Sequence, residues 1–217
     1  YLALSEAHWS ADTLVWPEFA LTAYGASAEQ ITGMLGARGR QTNTNVVIGA
    51  PRVEWQRNVA GVGVNEPRYQ LFNAALGLGQ AQGVVTKHHL VPFGDYVPLQ
   101  EWLRGLIEFF DLPMSNATRG AAQQDNVVLS LNGQQVQAAI GICYEIAYGN
   151  SMRKRAQQAG VLMTLTNDTW FGRSIGPHQH MQIARVRALE NGRWLLRAAN
   201  DGITCLLYTS DAADEVD

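Results

Sequence analysis

Short apolar runs of strand length recur along this chain, and three of them stop at a residue that can carry chemistry. The runs are Leu14–Trp16, Val46–Val53, Leu71–Leu78, Val84–Lys87, Val127–Leu131, Val136–Ile142, Val161–Thr166 and Trp194–Ala199. Between them, Ser27–Arg38, Leu99–Phe110, Ile146–Gln158 and His178–Asn191 read as helices. Asn132-Gly133 between two apolar runs signals a hairpin closed by a two-residue turn. Alternating strands and helices with one such hairpin predict an α/β layered fold with a mixed sheet. Asn58–Arg68, glycine- and proline-punctuated and polar, reads as a surface loop. No internal repeat or flexible linker interrupts the pattern.

Composition narrows the class. The 217 residues suffice for one sizeable core, and 47% hydrophobic against 16% charged residues describes a globular chain. A net charge of -3 offers no electrostatic footprint for nucleic acid. The chain opens on Tyr1-Leu-Ala-Leu-Ser, inside an element and without Met, so we expect a piece of a longer protein. No run approaches the ~18 apolar residues of a membrane span, a statement about the piece and not its parent. Residues 1–204 read as one partial domain, and Cys205–Asp217 (CLLYTSDAADEVD) as a short acidic, non-native tail.

The candidate chemistry lies at strand ends. Glu18 closes Thr13-Leu-Val-Trp-Pro-Glu, Lys87 closes Gly83-Val-Val-Thr-Lys, and Cys143 follows Val136–Ile142 directly. Open sheets place their chemistry at such ends, and a carboxylate, an ammonium and a thiol supply a base, an oxyanion partner and a nucleophile. Each residue alone has a plainer reading. Glu18 could cap the following turn, Lys87 could be a solvated strand end, and Cys143 a small buried filler. Two cysteines, Cys143 and Cys205, are too few for a disulfide scaffold, though their pairing stays open. His88, His89, His178 and His180 lack metal-ligand spacing, so no metal site is expected.

Longer blocks carry a family resemblance. Trp16-Pro17-Glu18, Lys87-His-His-Leu-Val-Pro-Phe-Gly-Asp-Tyr-Val-Pro98 and Gly141-Ile-Cys-Tyr-Glu145 resemble the signature blocks of the carbon–nitrogen hydrolase (nitrilase) superfamily. Thr166–His180 and Ala184–Glu190 narrow the resemblance to the branch that N-acylates bacterial lipoproteins, over about residues 12 to 204. The resemblance implies an αββα sandwich, incomplete at its C-terminal end, with a Glu18–Lys87–Cys143 triad and no cofactor. It implies a phospholipid acyl donor, a diacylated lipoprotein acceptor and a thioester on Cys143. It further implies a bacterial inner-membrane protein, monomeric when intact, whose catalytic domain faces the periplasm. A small-substrate amidase using the same triad is the alternative, since the triad alone does not separate the two.

Several further positions are expected to support that site. Asp95 stands where the family usually has Glu, keeping the charge with a shorter reach. Asn73 matches a polar strand residue that the family places nearby. Glu145, two residues past the thiol, either orients the base or Lys87, or caps a helix N-terminus. Tyr144 lies between them. Trp170 and Phe171 either line an acyl pocket or pack as core. Leu99–Met114, including Trp102 and Phe109, is apolar on too many sides for one core-facing stripe. It reads as an arm over the site that meets a membrane surface, with a buried helix as the plainer reading.

Overall fold

The computed structural model describes residues 1–55, 69–92, 94–96 and 117–208. Asn58–Arg68 and Leu99–Met114, with Trp102 and Phe109, lie outside the described residues. Among those described, nine strands form two sheets. The first has the order β1 (Thr13–Trp16), β2 (Asn45–Trp55), β3 (Tyr69–Gly79), β4 (Val84–Thr86). The second runs β5 (Val127–Leu131), β6 (Gln134–Ile142), β7 (Val161–Asn167), β8 (Leu195–Asn200), β9 (Cys205–Leu207). Both are mixed: β1 and β2 pair in parallel, as do β6, β7 and β8, and the other pairings are antiparallel. The helices are α1 (Leu2–Ser5), α2 (Ala26–Thr42), α3 (Gly149–Ala156) and α4 (Gly176–Asn191).

The layering follows from the period-2 alternation of strand side chains. In β2, Val47 enters the cluster between the sheets, while Val46, Ile48 and Ala50 face the layer of α2 with Leu35. In β6, Ala138, Ile140 and Ile142 point between the sheets, and Ala139 points to the layer of α3 and α4. Met152 and Ala156 of α3 and Ala184 and Ala188 of α4 pack there on Leu162 and Leu195. Because both faces of these strands are covered, their sequences read as nearly unbroken apolar runs. The result is a helix–sheet–sheet–helix sandwich, as the sequence pattern and the resemblance led us to expect.

Asn132 and Gly133 both take positive φ, 51° and 75°, so the β5–β6 hairpin turns as its sequence indicates. One expected helix starts later than the sequence suggests. Instead of a helix from Ile146, Cys143–Ala147 forms a 3-10 turn and α3 begins at Gly149. The turn is tight because it starts from Cys143 at φ 53° and folds the Glu145 carboxylate back onto the Ile142 N–H at 3.0 Å. Residues Cys205–Leu207 pair with β8 along Leu195–Arg197.

A buried polar clasp joins the two sheets. Asn45 donates through Nδ2 to the Ser130 carbonyl at 2.8 Å, and its Oδ1 accepts the Ser130 N–H at 2.8 Å. Nδ2 also reaches the Asp12 carbonyl at 2.8 Å. Replacing Asn45 by Ala leaves a half-buried donor and a half-buried acceptor on Ser130 without this partner, where a fully buried group would cost about 1–3 kcal/mol when left unmet. We expect Asn45→Ala to lower the denaturation midpoint of the intact protein by at most that order. A midpoint unchanged within error would show that the clasp adds no net stability.

Candidate active site

The directions of the strands gather the chemistry. β1, β2 and β4 run the same way, and so do β6, β7 and β8, so their C-terminal ends deliver Glu18, Lys87, Cys143 and Asn167 to one region. There they line a cavity of about 660 Å³. Gly49 of β2 makes room for the Glu18 turn. A Cβ on Gly49 would stand 2.3 Å from the Pro17 carbonyl oxygen and 2.6 Å from the Glu18 Cα. The Asn200 side chain holds the Glu18 carbonyl at 2.8 Å from the end of β8.

Lys87 is buried between two carboxylates. Its Nζ lies 3.1 Å from Glu18 Oε1 and 2.8 Å from Asp95 Oδ2. Asn73 Nδ2 donates to Glu18 Oε1 at 2.7 Å, and the Asn167 N–H donates to Glu18 Oε2 at 2.9 Å. The Val91 N–H completes Asp95 at 2.8 Å. Burial alone would lower the Lys87 pKa, but Glu18, Cys143 and Asp95 outweigh it and raise it above the ordinary 10.5. The ammonium is therefore fixed as a charge. Its near-total burial excludes the solvated strand end, and the buried Glu18 is more than a turn cap.

The thiol sits in the opposite regime. Burial, reinforced by the Glu18 carboxylate, pushes Cys143 up to about 12 from 9.0, while Lys87 and a hydrogen bond with Thr166 oppose the rise. Near neutral pH it is a thiol, so attack requires a base that removes the proton as the new bond forms. Glu18 and Asp95 are the carboxylates that act on both Lys87 and Cys143, and the Glu18 charge has the larger effect on each. Cys143 itself holds a left-handed backbone, φ 53°, which costs a non-glycine residue on the order of 1–3 kcal/mol unless its surroundings enforce it. Cys143 and Cys205 are both free.

Glu145 acts on backbone groups of two separate segments and touches neither Glu18 nor Lys87 directly. Its Oε2 caps the 3-10 turn through Ile142, and its Oε1 accepts the N–H groups of His88 and His89 at 2.8 and 3.1 Å. It thus ties the loop after Lys87 to the turn that carries Cys143. Tyr144, Trp170 and Phe171 line the cavity along with Phe19, Tyr24 and Val91. Trp170 is mostly exposed, at the rim and not in the core. His88 and His89 lie beyond β4, where Nδ1 of His88 meets the Gly120 carbonyl and His89 stacks on Tyr148. Among the described residues no group of three or more His, Cys, Asp or Glu is placed to hold a metal ion.

One part of the site went unread in the sequence. Asp168, His180 and Arg197 form a buried polar group behind Cys143. The available signal was Arg197 inside the apolar β8, since a buried arginine needs a partner. His180 was weighed only as a metal ligand, and its partner Asp168 lies 12 residues away.

The carbon–nitrogen hydrolase family model matches residues 2–212. An apolipoprotein N-acyltransferase of Pseudomonas syringae pv. tomato is 44% identical over 197 residues, 91% of this chain and 37% of that protein. The apolipoprotein N-acyltransferase of Vibrio parahaemolyticus is 37% identical over 216 residues, covering 95% of this chain and 40% of its own length. The chain thus spans about two fifths of the length of these curated relatives. Among solved structures, the Nesterenkonia sp. AN1 amidase with an acetamide moiety on its active site cysteine superposes with TM-score 0.61 at 17% identity, over 96% of this chain and 76% of its own. A carbon–nitrogen hydrolase from Helicobacter pylori gives TM-score 0.58 at 14% identity, over 95% and 70%. These two likenesses concern the fold. With the family match spanning nearly the whole chain, the protein belongs to the carbon–nitrogen hydrolase family.

Proposed function

We propose that this chain is part of the catalytic domain of an N-acyltransferase working at the bacterial inner membrane, with its site on the periplasmic side. The donor is a phospholipid and the acceptor is the α-amine of the N-terminal diacylglyceryl-cysteine of an apolipoprotein. The names of relatives at 37–45% identity support this reading. The observation that carries it is the cavity, where a thiol, a carboxylate and an ammonium meet beneath Phe19, Tyr24, Val91, Tyr144, Trp170 and Phe171. Its volume is that of a small-molecule site, and its lining suits an acyl chain better than a small polar amide. No helix among the described residues is long and apolar enough to cross a membrane. Membrane contact is assigned to the remainder of the intact protein and to residues 99–114.

The chemistry follows from the charges. Cys143 Sγ attacks the ester carbonyl while Glu18 takes the thiol proton. The former carbonyl oxygen becomes negative beside the Lys87 ammonium, which the two carboxylates hold in place before the substrate arrives. Collapse expels the lysophospholipid oxygen, which receives the proton from Glu18, and leaves a thioester. Glu18 then takes a proton from the incoming amine, which attacks the thioester to form an amide, and the thiol is restored.

In the intact protein given phospholipid alone, Cys143 should gain one acyl mass, released by hydroxylamine and absent from Cys143→Ala. An adduct elsewhere, or turnover of a small amide in preference to phospholipid, would replace this reading with hydrolysis.

Glu18→Gln keeps the shape but removes the base and should slow thiol acylation about 10²–10⁴-fold. Lys87→Met leaves two carboxylates buried without their cation. It should therefore lose stability by about 3–5 kcal/mol as well as rate. A folded Lys87→Met variant that acylates at the parent rate would remove the ammonium from the mechanism.

Alkylation of Cys143 by iodoacetamide should keep rising with pH past the ordinary thiol midpoint, because its thiol ionises only near pH 12. A plateau reached by pH 9–10 would contradict the raised pKa and make the thiolate the resting nucleophile.

A further inference from the structure

Cys143 owes its left-handed turn to something, and Glu145 accounts for one side only, through the Ile142 N–H. On the other side the Cys143 carbonyl oxygen faces His180 Nε2 at 3.2 Å. A carbonyl only accepts, so Nε2 carries the hydrogen and donates it. The other ring nitrogen, Nδ1, lies 2.9 Å from Asp168 Oδ1 and 3.3 Å from Arg197 Nη2. Asp168 is fully buried, takes the Thr166 hydroxyl on Oδ1 at 3.0 Å and the Arg197 guanidinium on Oδ2 at 2.6 Å. Arg197 is anchored in turn on the Ile203 carbonyl at 3.1 Å. Gly202 keeps this arrangement compact, for a Cβ there would stand 2.4 Å from Asp168 Oδ2.

We infer that Asp168, His180 and Arg197 form a brace that sets the position of the nucleophile, with His180 as a positioning residue acting through the Cys143 carbonyl. Several observations converge on this role. The imidazole is buried and its Nδ1 meets both Asp168, just past β7, and Arg197 of β8, so its Nε2 has little freedom. Its target is the peptide group that decides where Sγ points. An attacking atom must lie within a few tenths of an ångström of its productive place, and displacement by about 1 Å costs on the order of 10²-fold.

This inference rests on Cys143 being the nucleophile and is independent of which acyl donor it meets. The test therefore reads the thiol both with and without substrate, in the intact protein. His180→Gln can present an amide N–H near the place of Nε2, whereas the shorter His180→Asn reaches only the place of Nδ1. The brace predicts that His180→Asn and His180→Ala lower kcat about 10²-fold with KM nearly unchanged, and slow iodoacetamide alkylation of Cys143. His180→Gln should recover to within about tenfold of the parent. Equal loss in folded Gln and Asn variants, or parent-like kcat and alkylation in His180→Asn, overturns the inference. Should His180→Ala not fold, the Gln and Asn pair decides alone. A parent whose Cys143 takes up no acyl group at all would instead remove the proposed function and leave the alkylation comparison intact.

Discussion

The site depends on one buried ammonium. Lys87 sits between Glu18 and Asp95 away from water, and a charge in that position is tolerable only if its partners are held tightly against it. That requirement reaches outward. Each carboxylate has oxygens left to satisfy, and the structure meets them with Asn73 from β3, the N–H of Asn167 at the end of β7, and the N–H of Val91. Loops from both sheets are thereby pinned to a single cation. Moving any of them uncovers a charge, which is why the arrangement is rigid before any substrate arrives.

Burial has the reverse effect on the thiol. It raises the thiol pKa where it would lower that of an ammonium, and the Glu18 carboxylate that favours the Lys87 cation adds to the rise, so Cys143 stays protonated. One environment therefore produces a permanent cation, a base beside it and a nucleophile that is inert until deprotonated. In the proposed mechanism the apolar cavity that receives an acyl chain also shields the thioester from water, so the hydrophobic lining and the electrostatics serve the same chemistry.

Backbone strain completes the picture. Phe19, next to Glu18, and Cys143 itself both take positive φ, 52° and 53°. Neither is a glycine, so both conformations need outside support. For the Glu18 turn it comes from Asn200 and the close approach of Gly49. At Cys143 the Glu145 carboxylate holds the Ile142 N–H before it and the His180 imidazole holds its own carbonyl. Strain is held here by polar contacts from three separate stretches of chain and by the close approach of a fourth.

By itself the sequence determined the layers and the strand ends. Apolar alternation and the Asn132-Gly133 turn specify strands, helices and a hairpin through local chemistry, and they place Glu18, Lys87 and Cys143 where strands stop. The family resemblance marked Asp95, Asn73 and Glu145 as neighbours without saying what each would touch. Only the tertiary structure decided that Glu145 spans two loops, that Lys87 is shared by two carboxylates, and that α3 starts late behind a tight turn. The brace of Asp168, His180 and Arg197 was invisible for the same reason. Its members are separated by 12 to 29 residues and gain meaning only when parallel strands bring β7 and β8 side by side. Local pattern records which face a residue occupies, whereas a buried polar contact depends on which distant residue arrives to satisfy it.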